Sequence, residues 1–188
     1  MTIVFWDISG FSDLCNRFID SPIVIVELLK KYFNEANQVI HRYHGILDKF
    51  IGDGIMAYFG YFNNSGFSGS NDAINAALEL REKFVKLKED WIRNFNLDSN
   101  NISIDIKCGI HTGTLLFGIL ETDYRNQITV TGPTVNFASR LEGEAEYDQI
   151  LISDDTKKII KNEFVSQVRV INIKSWGEVK AHVITRKS

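Results

Sequence analysis

The chain opens on a nearly unbroken apolar run, Ile3-Val4-Phe5-Trp6, interrupted by the carboxylate of Asp7. A continuous run of this kind is the pattern of a strand buried on both faces, and it predicts a central strand over residues 2–8. A short helix is predicted over 9–19. Ser21 followed by Pro22 is a cap with proline at the first helical position. Ile25, Leu28, Leu29, Tyr32, Phe33, Ala36, Val39, Ile40 and Tyr43 then recur at helical spacing, predicting a long helix to about residue 43 that Gly45 ends. Residues 45–59 hold two short apolar runs joined at Gly52-Asp53-Gly54. An Asp-Gly step between such runs predicts a hairpin with Asp53 at its turn.

Residues 63–71, NNSGFSGSN, read as a loop whose glycines serve flexibility, since the Gly-Lys pattern of a phosphate loop is missing. A second long helix is predicted over 72–95, with Ile74, Ala77, Leu78, Phe84, Val85, Trp91 and Ile92 as its core stripe. Residues 102–110 alternate: Ile102, Ile104, Ile106, Cys108 and Ile110 face one way, Ser103, Asp105 and Lys107 the other, which predicts a half-buried strand. His111 to Thr114 turns this strand into another over 115–119. Further strands are predicted over 127–131, 150–153, 164–173 and 179–185, and helices over 133–144 and 154–160. Long helices interleaved with a mixed set of strands predict an α/β or α+β sandwich, helices packed over a sheet.

Composition narrows the class. A content of 44% apolar and 24% charged residues over 188 positions suits one well-buried core, so residues 1–188 are expected to form a single domain. A net charge of −3 gives no polyanion-binding surface, and no nucleic-acid partner is expected. Cys15 and Cys108 stand far apart, as buried thiols of a reduced protein do, and the four histidines make no zinc pattern. No apolar run approaches the ~18 residues of a membrane span. The first residues already read as strand, without a signal-peptide pattern, so a cytoplasmic protein is expected.

Two pairs of residues carry candidate chemistry. Asp7 ends the first strand and Asp53 sits in the hairpin turn; each alone fits a turn or cap residue. If their strands are neighbours, both carboxylates project from one rim beside the amides of a glycine turn, an arrangement suited to magnesium carrying a triphosphate. Asn136 and Arg140 lie four apart on the predicted helix 133–144 and share a face. By spacing alone, that face reads as an exposed polar stripe, with Phe137 and Leu141 turned to the core.

Four segments in register resemble the catalytic domain of the class III nucleotidyl cyclases, the adenylate and guanylate cyclase family: FWDISGF, DKFIGDGIMAYF, CGIHTGTLLFG and TVTGPTVNFASRLE. The resemblance spans nearly the whole chain. It implies a ferredoxin-like mixed sheet with helices on it, and a homodimer with active sites between subunits. It also implies that Asp7 and Asp53, with the carbonyl of Ile8, hold two Mg²⁺ (or Mn²⁺) ions. One ion would activate the ribose 3′-hydroxyl and the other would grip the triphosphate. The backbone from Ser9 through Gly10, Phe11 and Ser12 would cradle the phosphates. Asn136 would orient the ribose, Arg140 would stabilise charge on the α-phosphate, and Arg125 would bind the triphosphate.

Lys49 and Thr129 match the family's base-reading pair, lysine donating to adenine N1 and threonine accepting from the amino group. Guanylate cyclases usually carry glutamate at the Lys49 position, so ATP is favoured over GTP. Threonine at the second position resembles a bacterial subgroup that includes bicarbonate-responsive enzymes. Cytosine presents the same edge as adenine, so pocket size must decide between them. Short chains of this shape also resemble bacterial pyrimidine cyclases of antiphage defence, which make cyclic CMP or cyclic UMP for a cyclic-nucleotide-responsive effector downstream. One departure stands out. In IKSWGEVKAHV, Lys174 fits the first of two family lysines, but Trp176 occupies the place of the second. The alternative of another class is a pseudo-cyclase that binds nucleotide without turnover.

Overall fold

The structure is a computed structural model that describes residues 1–61, 69–95, 97, 103–121, 123–124 and 126–186. In chain order its elements are β1 (Thr2–Ser9), α1 (Phe11–Arg17), α2 (Pro22–Arg42), β2 (Ile46–Ile51), β3 (Gly54–Phe59), α3 (Gly69–Asn94) and β4 (Asp105–Thr112). There follow β5 (Leu116–Glu121), β6 (Asn126–Thr131), α4 (Pro133–Glu144), β7 (Ile150–Ser153), α5 (Asp154–Ile159), β8 (Phe164–Ile173) and β9 (Gly177–Arg186). Seven strands form one sheet in the order β2-β3-β1-β4-β7-β9-β8, while β5 and β6 pair apart from it. Among the described residues, only the β4–β7 pairing of this sheet is parallel. With the short α1 set aside, the chain through β4 runs β-α-β-β-α-β with spatial order β2-β3-β1-β4, the ferredoxin-like arrangement that the resemblance implies.

Strand alternation divides the buried residues between two faces. Val4, Trp6 and Ile8 of β1 join Leu28, Tyr32 and Val39 of α2 and Ile74, Leu78, Phe84 and Trp91 of α3 in the main core. Ile3 points the other way, into a smaller cluster with Met56, Tyr58, Val130 and Ala138 beneath α4 and β6. Burying each of the larger side chains contributes about 1.5–3 kcal/mol, and the central place of β1 rests on serving both clusters.

The structure departs from the predicted pattern at several points. Helix α3 begins at Gly69, not Asp72. A Cβ on Gly69 would lie 2.4 Å from the Gly60 nitrogen, so this glycine serves close backbone approach rather than flexibility. Ser70 and Asn71, also read as loop, are buried: Ser70 Oγ lies 3.1 Å from Thr2 Oγ1, and Asn71 accepts from the Lys161 N–H. The remaining loop residues, 63–68, and Ile102 lie outside the described residues. Val85, assigned to the core stripe, is exposed. Helix α1 spans only Phe11–Arg17, and Ser21 precedes α2 without a side-chain capping bond. At the end of α2, His44 takes the left-handed turn at φ 58°. Gly45 is required for another reason: a Cβ there would stand 2.5 Å from the Phe59 ring.

Candidate functional site

The β1–β3 pairing settles where the two aspartates lie. Trp6 pairs with Ile55, and the register carries Asp7 to the end of the sheet at which the β2–β3 loop turns. Ile51 pairs with Gly54, so the loop residues are Gly52 and Asp53, and the left-handed φ of 63° falls on Gly52. Asp53 thus lies in the turn, as the Asp-Gly step predicts. Gly54 instead fills the narrow space beside β1, where a Cβ would sit 3.2 Å from the Trp6 carbonyl oxygen and 3.5 Å from Asp7 Oδ1.

Asp7, Ile8, Gly10, Phe11, Ser12 and Asp53 line one cavity of about 480 Å³. Burial, then repulsion from Asp7, raises the Asp53 carboxyl above the usual carboxylate range, against the pull of backbone N–H groups at Asp53 and Ile8. Two residues unmarked by the sequence complete the charge pattern. Lys107 on β4 pairs in register with Asp7; its Nζ lies 3.5 Å from Asp7 Oδ2 and 2.7 Å from Glu142 Oε1 on α4. Burial lowers the Lys107 ammonium, but Glu142 and Asp7 outweigh it and its net shift is upward. Burial raises Glu142, with Lys107 pulling it back. The alternation of 102–110 had put Lys107 on the polar face; only the register shows what it meets there.

Lys49 and Thr129, 80 residues apart, do meet: Lys49 Nζ donates to Thr129 Oγ1 at 2.9 Å. They share a partner that the sequence did not reveal. Asp48 lies 3.0 Å from Lys49 Nζ and accepts from Thr129 Oγ1 at 2.9 Å.

Asn136 and Arg140 lie on the exposed face of α4 and line a second cavity, of about 400 Å³, with Ser139, Lys174, Ser175 and Trp176. Trp176, the departure at the second lysine position, has a packing role. Its ring sits edge-on to Phe137 at 5.4 Å, and Phe137 packs on His111 at 4.5 Å. His111 is held in turn by Ser153 Oγ at 2.7 Å from its Nδ1, and burial lowers its pKa. Arg125 lies outside the described residues.

Helix α4 is seated on β4 at a glycine. A Cβ on Gly109 would stand 2.1 Å from the Glu142 nitrogen and 2.5 Å from the Ala138 oxygen, both backbone atoms of that helix. Gly109→Ala is therefore expected to cost about 1–3 kcal/mol in a denaturant titration, as overpacking does, because α4 must lift. The same shift would move the face carrying Asn136 and Arg140.

The two cavities face different directions of chemistry, one lined by carboxylates and one by Arg140 and Lys174. Among the described residues, no three or more His, Cys, Asp or Glu cluster to hold a metal ion. None of the described helices is long and apolar enough to cross a membrane. On the hairpin of β5 and β6, Leu116, Phe117, Ile119 and Ile128 stand exposed, Leu116 at 65%.

Comparison with known proteins agrees with the fold and the motifs. An adenylate cyclase of Anabaena cylindrica is 33% identical over 145 residues, covering 76% of this chain and 27% of that protein. The receptor-type guanylate cyclase gcy-23 of Caenorhabditis elegans is 29% identical over 156 residues, 83% of this chain and 14% of that protein. The chain thus spans about a quarter or less of the length of these relatives. Among solved structures, the adenylyl cyclase CyaB from P. aeruginosa superposes with a TM-score of 0.89 at 29% identity, covering 100% of this chain and 94% of that one. The guanylate cyclase domain of RhGC from Catenaria anguillulae, solved in complex with GTP, superposes with a TM-score of 0.82 at 27% identity, covering 100% and 96%. The family described as adenylate and guanylate cyclase catalytic domain matches residues 1–186, and the chain belongs to that family.

Proposed function

We propose that the chain is an active nucleotide cyclase that works as a homodimer. It would convert a nucleoside triphosphate to its 3′,5′-cyclic monophosphate and pyrophosphate. The observation that carries this reading is the retention, in a chain of this family, of both aspartates on one rim and of Asn136 and Arg140 on one helix face. The ribose 3′-oxygen forms a bond to the α-phosphorus as the bond to the leaving pyrophosphate oxygen breaks, and the 3′-hydroxyl proton passes to water.

Magnesium fits the donors present. Asp7, Asp53 and the Ile8 carbonyl offer hard oxygens, too few to enclose an ion, and magnesium characteristically binds one or two carboxylates and completes its shell with water and substrate phosphates. Burial and then Asp7 disfavour the charged form of Asp53, a cost that a bound cation would offset. When bound, such an ion supplies the charge that acidifies the 3′-hydroxyl and offsets the charge on departing pyrophosphate. The chain's own residues do the positioning. Gly10, Phe11 and Ser12 border the space for the phosphates, Asn136 holds the ribose, Arg140 faces the charge that grows at the α-phosphate, and Lys174 takes part of the triphosphate charge. With both reacting groups in one substrate, orientation and fixed charge supply most of the rate.

The aspartate rim and the α4 face line separate cavities, and the exposed apolar hairpin of β5 and β6 supplies a surface for a second copy. Each site would join the aspartates of one protomer to Lys49, Thr129, Asn136 and Arg140 of its partner.

The Lys49–Thr129 contact supports a base with a ring-nitrogen acceptor and an amino donor. Adenine has that edge and so does cytosine, and on that observation the second reading is a pyrimidine cyclase making cyclic CMP. Incubation with ATP, GTP, CTP and UTP separately, with Mg²⁺ or Mn²⁺ and mass-spectrometric detection, tests both. Cyclic AMP alone is the expected result. Cyclic CMP would favour the pyrimidine reading and a defence signal. No product from any of the four, by a folded dimer, would favour the pseudo-cyclase.

A further inference from the structure

We infer that Asp48 sets the direction of the hydrogen bond at Thr129 and thereby determines which bases the site accepts. The inference rests on the reading of Lys49 and Thr129 as the base-recognition pair. In a regular strand, neighbouring side chains point to opposite faces, so Asp48 and Lys49 should diverge. They do not, because β2 is irregular at this point: Leu47 pairs with Ala57 and Lys49 with Met56, leaving Asp48 unpaired as the extra residue of a bulge. A bulge re-aims the side chain it carries. Here it brings the Asp48 carboxylate, only 3% exposed, against the hydroxyl of Thr129, itself 4% exposed.

The chemistry of the hydroxyl follows. Thr129 has one proton to donate and two lone pairs to offer. Both Asp48 oxygens lie within reach of Oγ1, at 2.9 and 3.1 Å, and an ionised carboxylate only accepts. The other acceptor nearby, the Val130 carbonyl at 3.4 Å, is too long to compete. The Thr129 proton is thus committed to Asp48. Lys49 Nζ takes one lone pair at 2.9 Å. What remains toward a ligand is a lone pair, and it accepts only from a donor. Lys49 spends one N–H on Asp48 and one on Thr129, which leaves a third for a ring-nitrogen acceptor. The pair then reads amino-bearing bases, adenine and cytosine, and refuses a carbonyl at that position, as in guanine and uracil. Without Asp48, the Thr129 hydroxyl could rotate and donate, and the discrimination would fall.

The test uses non-cyclisable α,β-methylene triphosphates of three purine nucleosides: adenosine, purine riboside and O6-methylinosine. All keep an acceptor at N1 for Lys49; the 6-position carries a donor, nothing, and an acceptor. Binding to the purified protein with Mg²⁺ is measured by calorimetry. The wild type is expected to prefer adenosine over O6-methylinosine by about tenfold or more, the usual scale of one satisfied against one frustrated hydrogen bond, with purine riboside between. In Asp48→Ala the preference should fall to within about threefold, while in Thr129→Val it should be lost and adding Asp48→Ala should change nothing more. Tighter binding of O6-methylinosine than of purine riboside by the wild type would overturn the inference, whether or not Asp48→Ala folds. So would an Asp48→Ala protein that weakens all three ligands equally, or one whose preference also shifts in the Thr129→Val background. Failure of the wild type to bind any of the three would overturn the base-pair reading itself, a result distinct from binding without discrimination.

Discussion

Asp53→Asn is expected to lower cyclic-nucleotide production by at least about a thousandfold, the scale on which transition-state charge stabilisation is lost, while leaving the fold at least as stable as the wild type. The two effects have opposite signs for one reason. The Asp53 carboxyl is raised first by burial and then by Asp7. An acid that holds its proton more tightly when folded makes stability fall as pH rises from its unfolded value through its raised folded value, and above that window the full cost is present. Near neutral pH, asparagine removes that cost and keeps the shape. The variant should therefore melt at or above the wild-type temperature in chelator at neutral pH, and the difference should vanish in acid below the unfolded carboxylate range. Magnesium should raise the melting temperature of the wild type by mass action and leave Asp53→Asn unmoved. Thermal melts with and without Mg²⁺, beside mass-spectrometric product detection, check both halves. Retained turnover in Asp53→Asn would remove Asp53 from the metal assignment.

Much of this architecture was written in periodicity. The apolar run of β1, the stripe from Ile25 to Tyr43 and the Pro133 start of α4 each declare an element through local spacing, and local spacing is what a sequence displays. Less legible were features made by contact between distant segments. Gly69 and Gly109 look alike in the chain, and only the approach of Gly60 to one and α4 to the other shows why neither tolerates a Cβ. Lys107 read as a solvent-facing strand lysine until the β1–β4 register set it opposite Asp7. Asp48 was hidden more deeply. Alternation assigns it to the face away from Lys49, and the bulge that cancels the alternation has no signature in Leu47-Asp48-Lys49. The residues resembling family motifs are legible because they sit in contiguous stretches; their supporting partners lie elsewhere in the chain.

Mixing two inactive proteins should restore activity. If each site draws its aspartates from one protomer and Arg140 from the other, Asp53→Asn and Arg140→Ala damage different halves. In an equal mixture allowed to exchange, half of the dimers are mixed, and each mixed dimer has one intact site and one doubly damaged. About a quarter of wild-type turnover should return from preparations that separately show almost none, since random pairing of a two-fold dimer fixes that fraction. The converse experiment places both lesions in one chain and mixes it with the wild type. Every mixed dimer then carries one damaged half in each site, so the double variant should silence about half of the wild-type activity as it captures protomers. A site complete within one chain gives opposite results in both cases: no recovery in the first mixture and undiminished wild-type turnover in the second. The separation of the two cavities favours the shared site. The exposed Leu116, Phe117, Ile119 and Ile128 offer the apolar surface that such pairing needs, and Phe117→Glu should abolish both the exchange and the recovery together.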